Sequence, residues 1–308
     1  MKKQQIMGSS MLLVTSLIWG CAFVAQKIGM EHIGPFTFCG IRFLLSAVFL
    51  ILVAITRDLL IYKKLSFFSY DKKDQKHMLL GGVLCGVALC TASCLQQYSM
   101  QGTTAGKSGF ITALYIVLVP ILGLFIKKKV KKIEWISIVV ACLSLIFLCF
   151  KKEDLSGSLS INGYDLGLLA CALCFSIQIL LIDYFSKNHD CLIMAMIQFI
   201  TCGLLCSLLM FITEVPKIEQ INKAILPLLY AGIASGGIAY TLQFMGQKHT
   251  NPVVASIIMS LEAVVSLIAG AIIIEEKLST LELIGCALMF VAIILPQIPL
   301  NKKKNANS

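Results

Sequence analysis

The chain has 308 residues, 58% of them hydrophobic and only 14% charged, with a formal net charge of +10. A water-soluble domain carries about a quarter charged residues, so a soluble globule is excluded. The basic residues cluster between apolar runs, the pattern of loops beside a cytoplasmic membrane surface and its anionic lipid headgroups; this argues against a nucleic-acid partner.

The apolar runs approach the roughly 20 residues that a helix needs to cross a hydrocarbon core. They do not alternate as barrel strands do, and lipid offers no hydrogen bonds to an exposed backbone, so helices are expected. In chain order these lie at Ser9–Ile28, Phe36–Ile55, Met78–Met100, Thr104–Ile126 and Ile133–Phe150, then at Leu166–Ile182, Cys191–Ile212, Ala224–Phe244, Val253–Ile274 and Leu281–Ile298. The expected fold class is an all-α membrane protein with ten transmembrane helices. The opening MKKQQ before an apolar stretch resembles a signal peptide, but Trp19 is too bulky for a cleavage position and the run continues to Ala25; a retained first helix is expected. Only Thr56–His77 is a long connection, and Arg57–Tyr70 within it is expected to lie on the membrane surface.

With both termini inside, 18 lysines and arginines fall in cytoplasmic segments and 6 outside, Arg42 and Lys107 lying within helices. The positive-inside rule therefore predicts both termini in the cytoplasm and an even number of spans. The 13 cysteines sit almost entirely in apolar runs and read as small buried residues rather than a disulfide framework.

The two halves resemble each other. A shift of 147 aligns Ala92 with Ala239, Leu95-Gln96 with Leu242-Gln243, Thr103 with Thr250 and Leu114 with Leu261. The loop KKKVKK at Lys127–Lys132 matches EEKLST at Glu275–Thr280. An odd number of helices per half puts these loops on opposite sides, and the charge reversal fits that inversion. The expected organisation is a five-helix repeat over 1–150 and a second, inverted one over 151–308, enclosing a site near the bilayer midplane.

Trp19-Gly20 with Phe23 and Lys27, Pro35-Phe36 leading to Arg42-Phe43, AGKSGFITALYIVLVP from Ala105 to Pro120, Leu261-Glu262, and Glu276-Lys277-Leu278 with Gly285 follow one another along the chain. In this order they resemble the EamA-type ten-helix members of the drug/metabolite transporter superfamily, with Ala263 where a proline often follows the glutamate. The resemblance implies a basket of two inverted five-helix repeats around a central cavity, moving small metabolites, often amino acids, by alternating access. It does not name the cargo.

Three charged residues lie within the predicted helices: Arg42, Lys107 and Glu262. Each is costly in a bilayer, roughly 2.5–3.5 kcal/mol on translocon scales. Glu262, about 15 Å along its helix from Pro252, is the first candidate, and Tyr115 is its counterpart at the shift of 147. Two readings stand for Glu262: contact with a substrate amino group or a coupling proton, or a structural ion pair with Arg42 or Lys107. Arg42 suits a carboxylate ligand as well as that pair, and Lys107 lies near enough to its helix end to snorkel. Gln96, Tyr98, Gln178, Tyr240 and Gln243 are candidate cavity donors or interhelical glue. Trp19, in mid-helix, lines the cavity or fills core, and Pro120 is a candidate kink.

The four histidines lie at helix ends or in loops. Cys171-x-x-Cys174 lacks a second ligand pair, and no phosphate-binding glycine loop is present in the sequence. No cofactor or metal is expected, and no enzyme. The leading expectation is a secondary active transporter in the plasma membrane, as monomer or homodimer, exporting a small polar metabolite such as an amino acid with the proton as a candidate coupling ion. A non-transporting scaffold or sensor and a lipid-modifying membrane enzyme are the alternatives.

Overall fold

The computed structural model describes residues 2–102, 105–149, 163–273 and 280–297. Among them all regular structure is helical: α1 (Lys2–Met30), α2 (Pro35–Arg57), α3 (Lys72–Ser99), α4 (Ala105–Ala113), α5 (Tyr115–Phe125), α6 (Lys132–Cys149), α7 (Gly163–Phe185), α8 (Cys191–Thr213), α9 (Ile218–Lys223), α10 (Ile225–Leu229), α11 (Tyr240–His249), α12 (Pro252–Met259), α13 (Leu261–Ile273) and α14 (Thr280–Ile294). A π-helical stretch, Tyr230–Ala239, joins α10 to α11. Eight helical segments among the described residues are long and apolar enough to cross a bilayer. The runs predicted at Ile133–Phe150 and Leu281–Ile298 are present as α6 and α14, which pack together but fall outside that set of eight.

Two predicted runs are each divided by a single tight turn. Leu114 separates α4 from α5 and Ser260 separates α12 from α13, both with ψ close to zero (−9° and −10°). The backbone there makes shorter-range bonds, Val117 N–H to Leu114 O at 3.0 Å and Ala263 N–H to Ser260 O at 3.1 Å. Such 3₁₀ turns inside a helix commonly mark strain or a hinge. The Ser260 hydroxyl donates to Ile257 O at 2.7 Å, compensating part of the disruption. The break in the fourth predicted run is thus at Leu114, and α5 continues through Pro120.

Helix starts follow local chemistry. Asp71, Asp190 and Asn251 cap α3, α8 and α12 with their own side chains. The start of α2 cannot, because its N-cap residue, Gly34, has no side chain. Glu214, beyond the end of α8, supplies the cap instead: its carboxylate accepts from Phe36 N–H at 3.0 Å and from Thr37 N–H at 2.7 Å.

Large apolar side chains such as Leu52, Leu60, Phe125, Leu204 and Phe211 point outward. Lipid is as apolar as leucine, so helix association relies on close packing and interhelical hydrogen bonds. The buried apolar residues form two main clusters, one centred on α5, α6 and α12 to α14, the other on α2, α3 and α8. Trp19 of α1 and Phe175 of α7 pack against both. The seam between the clusters is where the polar residues gather.

Candidate functional site

Along this seam lies a small cavity of about 40 Å³, lined by Trp19, Ala22, Phe23, Gln26, Arg42, Ser93, Gln96, Thr112, Tyr115, Phe175, Gln178, Ile179, Ser235, Tyr240, Gln243, Met259 and Glu262. A water needs roughly 10–15 Å³ on this measure, so the cavity has room for about three.

The tight turns at Leu114 and Ser260 deliver the central contact. Tyr115 opens α5 and Glu262 stands in the first turn of α13, and the Tyr115 hydroxyl donates to Glu262 Oε1 at 3.0 Å. Both side chains are buried. Arg42 of α2, 5% exposed, also lines the cavity. Its guanidinium lies 4.3 Å from the centre of the Phe43 ring and donates to Cys39 Sγ at 3.8 Å. The two ionisable groups share a cavity, yet no ion pair joins Arg42 to Glu262 or to another carboxylate among the described residues. Arg42 Nε, Ser93 Oγ and Gln26 Oε1 are buried without a hydrogen-bond partner. Each such group costs about 1–3 kcal/mol, an arrangement that a polar ligand or ordered water relieves.

The remaining lining is held by a polar scaffold. Gln178 donates to Gln198 Oε1 at 3.1 Å and exchanges bonds of 3.3–3.4 Å with Gln243, tying α7, α8 and α11 together. Gln96 donates to Thr112 Oγ1 at 3.3 Å. The π-helical stretch offers carbonyls outward, a common consequence of its wider turn at functional sites. Trp19 Nε1 donates to Ser235 O, Ser46 to Gly232 O and Thr15 to Ala239 O. Trp19 also packs against Tyr240 in a tilted arrangement, with ring centres 4.6 Å apart and planes inclined at 54°.

Of the residues singled out from the sequence, Glu262, Arg42, Tyr115, Trp19, Gln96, Gln178, Gln243 and Tyr240 therefore converge on one cavity. Tyr98 does not; it is half exposed and stacks near Phe36 and Tyr164. Lys107 is on α4, and its side chain lies outside the described residues. Gln26, Ser93, Thr112 and Ser235 line the cavity without having been singled out. They carry no charge, and a serine or glutamine in an apolar helix gives no sign of which face meets a cavity.

The profile of the EamA-like transporter family matches residues 6–150 and 162–296. The chain belongs to the EamA-like transporter family. Its curated relatives include a protein of Archaeoglobus fulgidus named an uncharacterized transporter, 28% identical over 92% of this chain and 83% of that one. Another is the uncharacterized transporter YoaV of Bacillus subtilis, 24% identical over 95% and 97%. Protein PagO of Salmonella typhimurium is 26% identical over 81% and 79%. Among solved structures, one crystal structure has the same fold, with a TM-score of 0.76 over 94% of this chain and 96% of that one at 14% identity. Membership of the EamA-like family and its apolar helices make this a multi-pass membrane protein of a transporter family.

Proposed function

We propose that this EamA-like protein is a secondary active transporter that binds a small zwitterionic metabolite, an amino acid or a close relative, in the cavity between Arg42 and Glu262. The observation that carries the reading is that these two buried ionisable groups share a cavity without pairing to each other. A ligand bearing both a carboxylate and an ammonium group satisfies them together, the guanidinium taking the carboxylate and Glu262 the ammonium. Ser93 Oγ and Gln26 Oε1 then supply further polar contacts.

Alternating access requires two halves that move against each other, and several features support two inverted five-helix repeats over 1–150 and 151–308. The family profile matches one segment in each half. Helix pairing is reciprocal: α1 packs on α11 and α13, and α7 packs on α3 and α5. Tyr115 and Glu262 are 147 positions apart, the same shift that aligns the halves, and they touch. Equivalent residues of two repeats can meet only near the axis relating them, which supports a central site. At about 40 Å³ the cavity holds a few waters, so cargo enters when helices separate at the turns in the fourth and ninth predicted runs. In the proposed orientation both termini are cytoplasmic and the membrane is the plasma membrane. Export is the proposed direction, and Glu262 is the candidate carrier of a coupling proton.

Counterflow uptake of radiolabelled amino acids and small metabolites into proteoliposomes tests this. Saturable uptake that Glu262→Gln reduces at least tenfold is the expected result. Uptake untouched by that substitution would leave Glu262 a structural residue, and a folded protein that moves nothing would favour the scaffold reading.

A further inference from the structure

Beside the cavity lies a group of thiols that transport does not call for. Cys90 and Cys94 stand one helical turn apart on α3, and Cys202 and Cys206 one turn apart on α8; residues at this spacing share a helix face. Because α3 packs along α8, the two pairs meet. Cys206 Sγ is 3.4 Å from Cys90 Sγ, 3.6 Å from Cys94 Sγ and 3.9 Å from Cys202 Sγ. The thiols of Cys90, Cys94 and Cys206 all lie within 4.8 Å of one another, and all three residues are buried.

We propose that Cys90, Cys94 and Cys206 form a binding site for a soft, thiophilic monovalent metal ion, of which Cu(I) is the fitting example, with Cys202 flanking it. Sulfurs bound at about 2.3 Å to one ion stand roughly 3.8–4.0 Å apart, so Cys206 Sγ needs to draw away from Cys90 Sγ and Cys94 Sγ by only a few tenths of an ångström. Sites of this kind form in helix bundles from side chains on facing helices, and thiolate donors select soft ions. Three mutually close sulfurs suit the low coordination of Cu(I), whereas Zn(II) adds a fourth ligand.

Charge balance favours the site. Two thiols release two protons to the medium as one Cu(I) binds, the third sulfur remaining a neutral thiol, which leaves one net negative charge. A buried charge must be compensated. With no cargo carboxylate bound, Arg42 supplies the opposite sign: it has no ion-pair partner among the described residues, it contacts Cys39 Sγ at 3.8 Å, and Cys39 in turn neighbours Cys94. The site adjoins the cavity: Cys39 Sγ donates to Ser93 O at 3.7 Å, and Ser93 and Arg42 both line the cavity.

The test uses full-length protein in detergent, reduced and anaerobic, titrated with Cu(I) against a competing Cu(I) chelator. About one ion per chain is expected to resist the chelator, with thiolate-to-copper absorption in the near ultraviolet and a sulfur-only shell by X-ray absorption. Cys90→Ser/Cys206→Ser should weaken retention at least roughly 10–100-fold, and Cys171→Ser/Cys174→Ser should leave it unchanged. Equal retention by the Cys90/Cys206 variant, a nitrogen or oxygen shell in the wild type, or no retained copper overturns the proposal, the thiols then being hydrogen-bonded packing groups. Retention of Zn(II) with exclusion of Cu(I) overturns the monovalent assignment. If the Cys90/Cys206 variant does not fold, the wild-type stoichiometry and shell decide alone.

Discussion

Replacing Glu214 by alanine removes the side chain that caps α2, and its cost can be worked out from the contacts. The carboxylate accepts from two backbone N–H groups, at 3.0 and 2.7 Å, and from the Thr37 hydroxyl at 2.5 Å. Hydrogen bonds to a charged acceptor contribute about 1.5–3 kcal/mol each when buried, and a carboxylate at a helix N-terminus adds about 0.3–1 kcal/mol. Glu214 is only partly buried, so water takes up some of the freed donors and the net loss should be about 2–3 kcal/mol. At roughly 2–4 °C per kcal/mol for a chain of this size, thermal unfolding in detergent should shift down by about 5–10 °C. Gly34→Ala supplies an independent check. Its backbone (φ −68°, ψ 161°) accepts alanine, but the new Cβ would stand against the Glu214 carboxylate and displace it. The two changes should therefore be non-additive, Gly34→Ala costing almost nothing in a Glu214→Ala background. Fully additive losses, or an unfolding temperature unmoved by Glu214→Ala, would refute this account of how the start of α2 is tied to the end of α8.

Two further predictions concern packing and charge. A Cβ at Gly20 of α1 meets Val265 and stands 2.9 Å from the Glu262 carbonyl; Gly20→Ala should cost about 1–3 kcal/mol by overpacking and lower uptake at least tenfold, while Gly163→Ala, with open space around it, should be neutral in both assays. Asp183, buried at the end of α7, pairs with Lys128 and Lys187. Both lysines are partly exposed and can return to water, so Asp183→Asn should cost only about 1–2 kcal/mol, read as a fall of a few degrees in unfolding temperature.

Much of this arrangement was legible in the sequence because a bilayer imposes length, helicity and scarcity of charge together. Arg42 and Glu262 stood out as charges in apolar helices, and the 147-residue shift that paired Tyr115 with Glu262 points to the two residues that bond. What stayed hidden depends on helix rotation. The tight turns at Leu114 and Ser260 leave no glycine or proline at the break, and Pro120, which does carry such a signal, leaves α5 unbroken. Glu214 capping α2 across 177–178 positions is a long-range contact that local capping patterns cannot anticipate. The cysteines at Cys90, Cys94, Cys202 and Cys206 show their spacing plainly, but only the packing of α3 on α8 turns two stripes into one cluster. Gln26 and Ser93 reach the cavity by rotation alone.

In the proposed mechanism cargo binds between Arg42 and Glu262, against Trp19. The chain has two tryptophans, so Trp135→Phe leaves Trp19, which lines the cavity, as the sole reporter. Titrating that variant with a compound shown to be transported should give a saturable change in Trp19 fluorescence, abolished by Glu262→Gln and by Arg42→Gln. A compound that is transported saturably while Trp19 fluorescence stays constant would place the binding site elsewhere and contradict the account.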